Sequence, residues 1–241
     1  MLLRRISKHV KQQNWFAVGI DFVIVVIGVF IGIQVANWNE SQKNEDAAQL
    51  YRDRLMTDME LSINRNRIQI EQGQREVNQL DLVLRALDQC VLSEDDRPIF
   101  AAGLYNMGKY DLPIMVTDTI DELKATGNFP YIGEIDLRMK ISETVREYKT
   151  KTAINPQLSG RTIPSVNYVR TQVRFSLDQH KPRMLRIDPD LVTFDFDALC
   201  ADRRFIHAVS TVREMTLAII GLNQQMLEFQ QSLLVALQNS R

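Results

Sequence analysis

The sequence predicts an all-α protein: an N-terminal transmembrane helix followed by an antiparallel extracytoplasmic helical bundle with long first and last helices. Three observations carry this prediction. The run WFAVGIDFVIVVIGVFIGIQVANW, Trp15 to Trp38, contains no charge between Phe22 and Ala36. Two later stretches, one directly after this run and one at the C-terminus, repeat apolar residues at helical steps over many turns. Glycine (10) and proline (7) are scarce, which suits a helical chain better than a β-sandwich with its many turns.

The apolar run comes first because it fixes placement. Taken as a helix, the 22 residues from Trp15 to Ala36 reach roughly 33 Å, enough to cross a hydrocarbon core of about 30 Å. A cleaved signal peptide is the rival, but its apolar region is normally about 7–15 residues long and ends in a small-x-small site. Here the run is longer and leads into Gln34, Asn37, Trp38 and Asn39. The expected organisation is therefore a basic cytoplasmic segment over 1–14, an uncleaved signal-anchor over 15–37 with Trp15 and Trp38 as interfacial residues, and a periplasmic domain over 38–241.

Charge sets the orientation. Residues 1–14 carry Arg4, Arg5, Lys8 and Lys11 and no acid, while Asn37 to Glu60 holds three basic residues against six acidic ones. The cations before the span keep the N-terminus in the cytoplasm and the domain outside. Leu2, Leu3, Ile6 and Val10 recur as on an amphipathic helix lying on an anionic leaflet; a plain basic flank explains the same residues. The net charge of −1 offers no basic face to a nucleic acid.

Two details inside the span bear on function. Gly28 and Gly32 form a G-x-x-x-G step, which lets a second helix approach closely. Asp21 is an acid about two turns inside the membrane, costly there unless it pairs, is protonated or reaches water. It is either a functional proton or ion site or a group hydrated at the headgroups beside Lys8 and Lys11.

The body reads as a long helix from Ser41 to about Leu92, with Val77, Leu80, Leu84, Leu87 and Val91 in 3-4-3-4 steps. Pro98 opens a short helix that Gly108 closes. Thr119 to Glu122 has the S/T-x-x-E capping form, and Gly127 provides a left-handed stop. A helix over Gly133 to Thr152 follows, with Ile135, Met139, Ile141, Val145 and Tyr148 apolar. Pro156, Gly160 and Pro164 then punctuate the chain before a helix reaching about His180. A crossover bracketed by Pro182 and Pro189 leads into a last helix from about Phe196 to Gln238, whose stripe is Phe205, Val209, Val212, Ile219, Leu222, Met226, Phe229, Leu233 and Leu237.

Cys90 and Cys200 are the only cysteines. Antiparallel end helices would bring them together, as a structural disulfide closing a loop of about 110 residues, with two separate buried thiols as the alternative. His9, His180 and His207 are scattered, and no H-x-x-x-H, C-x-x-C, G-x-S-x-G or phosphate loop is present. No catalytic, metal or cofactor site is expected, and no enzyme.

The run from Gly28 to Glu40, GVFIGIQVANWNE, after FVIVVIG, resembles the N-terminal signature of an uncharacterised bacterial family of single-span membrane proteins. Thr119 to Phe129 (TIDELKATGNF) and Ile135 to Ser142 (IDLRMKIS) are similar to that family's middle segment. The resemblance implies a bacterial inner membrane and an extracytoplasmic helical domain, with no assigned activity. A second likeness lies in layout alone. A short cytoplasmic segment, one span with an acid near its start and a periplasmic body resemble proton-driven motor subunits of the ExbD, TolR and MotB type, where Asp21 would accept the proton. The expected function is a membrane-anchored interaction or scaffold protein whose partners are the bilayer and either a second copy or another envelope protein. The alternatives are a proton- or ion-coupled subunit using Asp21 and a ligand-sensing module with a separate signalling partner.

Overall fold

The computed structural model describes residues 15–109, 111–175 and 192–240, and these are mostly helical. Arg4, Arg5, Lys8 and Lys11, with their expected amphipathic segment, lie outside the described residues, as does the stretch between Pro182 and Pro189. The chain divides into two compact units, Met1–Leu50 and Tyr51–Arg241.

Helix α1 runs Trp15–Gln89 without a break, 75 residues. It is followed by α2 (Arg97–Asn106), α3 (Asp118–Ala125), a 3-10 turn at Phe129–Tyr131, α4 (Ile135–Ala153), α5 (Asn155–Gln172), α6 (Phe196–Ala201) and the long α7 (Arg203–Asn239). Between α5 and α6, two short strands, β1 (Arg174–Phe175) and β2 (Val192–Thr193), pair antiparallel with Arg174 opposite Thr193.

Several local expectations shift. The expected capping box at Thr119 and Glu122 does not form. Helix α3 starts two residues earlier, at Asp118 after Thr117, Thr119 is buried in it, and Thr117 Oγ1 donates to Asp121 Oδ2 at 2.8 Å instead. Glu122 is drawn away by Arg54 Nη2 at 2.6 Å and the Tyr51 hydroxyl at 3.1 Å. Gly127 does close the helix, with φ +76. Pro156 and Pro164 do not break the chain: Pro156 stands in the first turn of α5, where a missing N–H costs nothing, and Pro164 is accommodated inside that helix. The expected last helix is two helices, because Asp202 ends α6 and caps α7, accepting from the N–H groups of Arg204 at 2.9 Å and Phe205 at 3.1 Å. On α4 the buried side is Leu137, Ile141 and Val145, at i,i+4 steps, whereas Ile135 and Met139 are 61% and 64% exposed.

Within the second unit, partners on α7 descend as residues on α1 ascend. Asn66 bonds Gln230 and Asp81 pairs with Arg213, while Cys90, just past the end of α1, is joined to Cys200 on α6. The apolar interior has two main parts. One gathers Leu80, Val83 and Leu87 of α1 with Phe100, Leu104, Val169, Phe205, Val209 and Val212. The other gathers Leu55 and Met59 with Ile120, Leu123, Ile132, Ile141, Met226, Leu233 and Leu237. Between these two parts α1 and α7 bury polar residues, Ser62, Asn66, Glu76, Thr216 and Asn223, beside the apolar Ile63, Met215, Ile219 and Ile220.

Candidate functional site

In the first unit, every residue from Gly19 to Glu40 is exposed, Trp38 by 70%. A run of Ile, Val and Phe side chains exposed to water is unfavourable by about 25 cal/mol per Å². By length and composition α1 is a candidate membrane span from Gly19 onward; α7 also passes that test, but much of its apolar stretch is packed in the interior. Asp21 is the only charge between Lys11 and Glu40. A Cβ added at Gly28 or Gly32 would meet nothing within 4 Å. Steps of seven and four residues put Asp21, Gly28 and Gly32 on one face of the helix.

In the second unit the candidate site is the polar middle of the α1–α7 contact. On α7 the residues Phe205, Val209, Val212, Thr216, Ile219, Asn223, Met226, Gln230, Leu233 and Leu237 step 4-3 without a break, and all are buried. On α1 the same spacing runs through Leu55, Met59, Ser62, Asn66, Gln69, Gly73, Glu76, Leu80, Val83 and Leu87. This is a different register from the expected Val77–Val91 seam, of which Leu84 is only half-buried and Val91 exposed. Leu222 and Phe229, expected in the α7 stripe, are half-buried at its edge. The polar residues Ser62, Asn66, Gln69, Glu76, Thr216, Asn223 and Gln230 were not singled out from the sequence. The signal that finds them is the heptad step carried on through residues that are not apolar.

Five of these side chains, Ser62, Asn66, Glu76, Asn223 and Gln230, serve the segment that links α2 to α3, which has no regular structure over its described residues, 108–109 and 111–117. Buried backbone groups need partners, and here side chains supply them. Ser62 Oγ accepts from Val116 N–H at 2.9 Å while donating to the Asp58 carbonyl at 2.7 Å. Asn66 Oδ1 accepts from Ile114 N–H at 2.9 Å, and Asn66 Nδ2 donates to the Ile114 carbonyl at 2.9 Å. Gln230 Nε2 donates to that same carbonyl at 2.7 Å. Asn223 Nδ2 donates to the carbonyls of Asp111 at 3.1 Å and Ile219 at 3.0 Å. The linking segment is thus strapped to the seam much as a strand is held to a sheet edge.

Glu76 holds the start of the strap. Its Oε1 accepts from Gly108 N–H at 2.9 Å, and Glu76 itself is buried. Gly108 has φ +77, and a Cβ there would come within 2.6 Å of Val166 Cγ2, so only glycine brings this N–H to the carboxyl. Burial pushes Glu76 up to about 7, against the Gly108 N–H, the Lys109 charge and Thr216, which all favour the ionised form. Lys109 is lowered, chiefly by burial, with Glu76 opposing; its ammonium sits 3.9 Å from the centre of the Tyr105 ring and 3.2 Å from Asn106 Oδ1.

Of the residues singled out in the sequence, the structure brings together Cys90 and Cys200, with Cα atoms 5.5 Å apart in a disulfide. His207 lies on α7, and His9 and His180 fall outside the described residues. Among the described residues, no group of three or more His, Cys, Asp or Glu could hold a metal ion.

A family model described as a family of unknown function (DUF6090) matches residues 21–100. That match starts at Asp21 and takes in Gly28, Gly32, the α1 half of the polar seam and Cys90. Comparison with curated proteins and with solved structures yields no match.

Proposed function

We propose that the chain is a non-enzymatic, single-pass protein of a bacterial inner membrane, anchored by the first part of α1, with its N-terminus in the cytoplasm and an antiparallel helical-bundle domain in the periplasm. On this reading it is an interaction or scaffold protein, associating with a second copy or with another envelope protein. The observation that carries it is the fully exposed apolar stretch from Gly19 through Trp38. The cations of residues 1–14 and the acid-rich flank after Asn37 support the orientation, and the descending α1–α7 partners, with the Cys90–Cys200 bridge from the end of α1 to α6, support the bundle.

Self-association rests on the glycine face. Gly28 and Gly32 have open space beside them, and small residues at this spacing let two backbones approach closely enough to gain dispersion contact along the span. The test is made in membranes. The chain should resist an alkaline wash, and alkaline phosphatase fused after Arg241 should be active where a fluorescent protein fused there is dark. Gly28→Leu with Gly32→Leu should cut the in-membrane proximity signal between two tagged copies. Release by the wash overturns the anchor, a fluorescent fusion overturns the orientation, and an undiminished signal overturns the glycine seam.

A second reading is supported by Asp21 being the only charge in the stretch. It makes the chain a proton- or ion-coupled membrane subunit, with Asp21 in the same face as the glycines. Asp21→Asn should then abolish whatever phenotype deletion of the protein gives, with insertion and abundance unchanged. An unaltered phenotype discards this reading.

A further inference from the structure

Gln69, Glu76, Lys109, Asp111, Thr216 and Asn223 help to line a small cavity of about 20 Å³ between α1, the strap and α7. That volume is enough for a single water molecule. Two buried acceptors there, Gln69 Oε1 and Asn223 Oδ1, have no hydrogen-bond partner. The orientation of Asn223 is fixed, because its amide nitrogen serves two carbonyls, those of Asp111 and Ile219; the atom left over must be the oxygen. Asn223 is 2% exposed and Glu76 6%. Two amide oxygens without donors and one buried carboxyl therefore belong to residues lining the same cavity. An unsatisfied buried acceptor is costly, and a proton on that carboxyl would bring a donor to the cavity that these residues line together.

We propose that Glu76, Gln69 and Asn223 form a buried proton-binding site that controls how firmly the 108–117 strap is held to the α1–α7 seam. With its proton on, Glu76 still accepts from Gly108 N–H and turns its O–H to the cavity acceptors, directly or through one water. When the proton leaves to solvent, the two amide oxygens stay without a donor beside a charge that Gly108 N–H, Lys109 and Thr216 must support. The ionisable and charged groups facing Glu76 are few. The strap brings Lys109 and Asp111, and α5 brings Arg170, whose charge bears on Lys109. Helix α7 contributes Thr216, Ile219, Ile220 and Asn223, none of which titrates. The elevated ionisation of Glu76, at about 7, agrees with this geometry and puts the transition near neutrality.

The direction of the effect follows from proton linkage. The folded chain holds the Glu76 proton up to about 7, whereas an unfolded glutamate releases it near ~4.3. The stabilisation is present below the unfolded value and is lost as pH rises through the folded one. Thermal unfolding of the full chain in detergent tests this, comparing wild type with Glu76→Gln, which copies the protonated form. At about pH 8 the variant should unfold at least ~5 °C above wild type, and at about pH 4.5 the two should coincide. A variant that is less stable at both pH values, or one that retains the wild-type slope between them, overturns the proposal. If Glu76→Gln does not fold, an infrared pH titration of the wild type decides: a buried carboxylic acid losing its proton near neutrality supports the site, and carboxyls that have all ionised by about pH 5.5 overturn it. Sodium chloride stabilising the wild type at about pH 8 more than choline chloride would also overturn it, since the cavity's ligand would then be a metal cation.

Discussion

Asn66 and Gln230 meet across the seam, Asn66 Nδ2 donating to Gln230 Oε1 at 2.7 Å, and both amides converge on the carbonyl of Ile114. Each helix so contributes one fully buried amide to the same backbone group. The cluster is well satisfied: Asn66 uses both N–H groups and its oxygen, and the Ile114 carbonyl uses both lone pairs. Such a network specifies register, since sliding α1 past α7 by one heptad would part Asn66 from Gln230 and end their convergence on Ile114.

Truncating either amide should therefore cost more than a surface polar change. Asn66→Ala leaves Ile114 N–H and Gln230 Oε1 without partners, and a loss of about 2–3 kcal/mol is expected. Gln230→Ala should cost about 1–2 kcal/mol, because Ile114 keeps Asn66. Urea unfolding of the two single variants and the double variant checks this, and the double should lose less than the sum of the singles. Strict additivity would mean that the two amides act independently.

The outline of the fold was legible because it depends on what hydrophobic periodicity records. The exposed apolar stretch of α1, the length of α7 and the Cys90–Cys200 juxtaposition all follow from composition and spacing. The interior between the two apolar parts was not legible, and the reason is physical. Its positions keep the heptad step but are occupied by Ser62, Asn66, Gln69, Glu76, Thr216, Asn223 and Gln230, residues that by themselves indicate a solvated face. Five of them, Ser62, Asn66, Glu76, Asn223 and Gln230, bond the backbone of the strap, which needs hydrogen bonds that no apolar side chain can supply. The capping box at Thr119 failed for a related reason: Arg54 and Tyr51, distant in sequence, compete for Glu122.

At Gly103 α2 lies close against α1. A Cβ added there would lie 2.9 Å from Val83 Cγ2 and 3.3 Å from the Gln79 carbonyl oxygen. Helix propensity alone would make Gly103→Ala favourable by up to about 1 kcal/mol. The contacts reverse this, and a net destabilisation of about 1–2 kcal/mol is expected from overpacking. Val83→Ala combined with Gly103→Ala should be more stable than the sum of the two single changes predicts, since the added methyl then occupies space that the valine vacated. Thermal unfolding of the three variants measures the coupling.

Asp202 separates α6 from α7 and should show its role in acid. A hydrogen bond from Tyr168, at 2.7 Å, together with the N–H groups of Phe205 and Arg204, holds its carboxyl below the usual range, with burial opposing. For an acid lowered on folding, the stabilisation is present above the unfolded value near ~3.9 and is lost as pH falls through the folded one. Asp202→Ala should cost about 1 kcal/mol at neutral pH through the lost cap. Asp202→Asn should keep most of the cap at neutral pH and remove the acid-dependent part. A stability difference between Asp202→Asn and wild type that is the same at about pH 3 and pH 7 would show that the carboxylate charge contributes nothing.

The Cys90–Cys200 bridge joins the end of α1 to α6 across 110 residues of sequence. A cross-link closing a loop of that size restricts the unfolded chain by an amount worth about 4–5 kcal/mol in the chain-entropy account, and removing native bridges commonly costs about 2–5 kcal/mol. The variant to use is Cys200→Ala. Cys90 has φ +49, the left-handed conformation that ends α1, so replacing it would change the helix end as well as the bridge. Cys200→Ala should lower the urea midpoint of the full chain by the same amount as reduction of the wild type, and reduction should then leave the variant unchanged. The same cysteines report on compartment. Chain taken from membranes under thiol-blocking conditions should not react with a maleimide until it is reduced, because disulfides persist in the periplasm and are rare in the cytosol. Full labelling without reduction would remove both the bridge and the principal chemical support for a periplasmic domain.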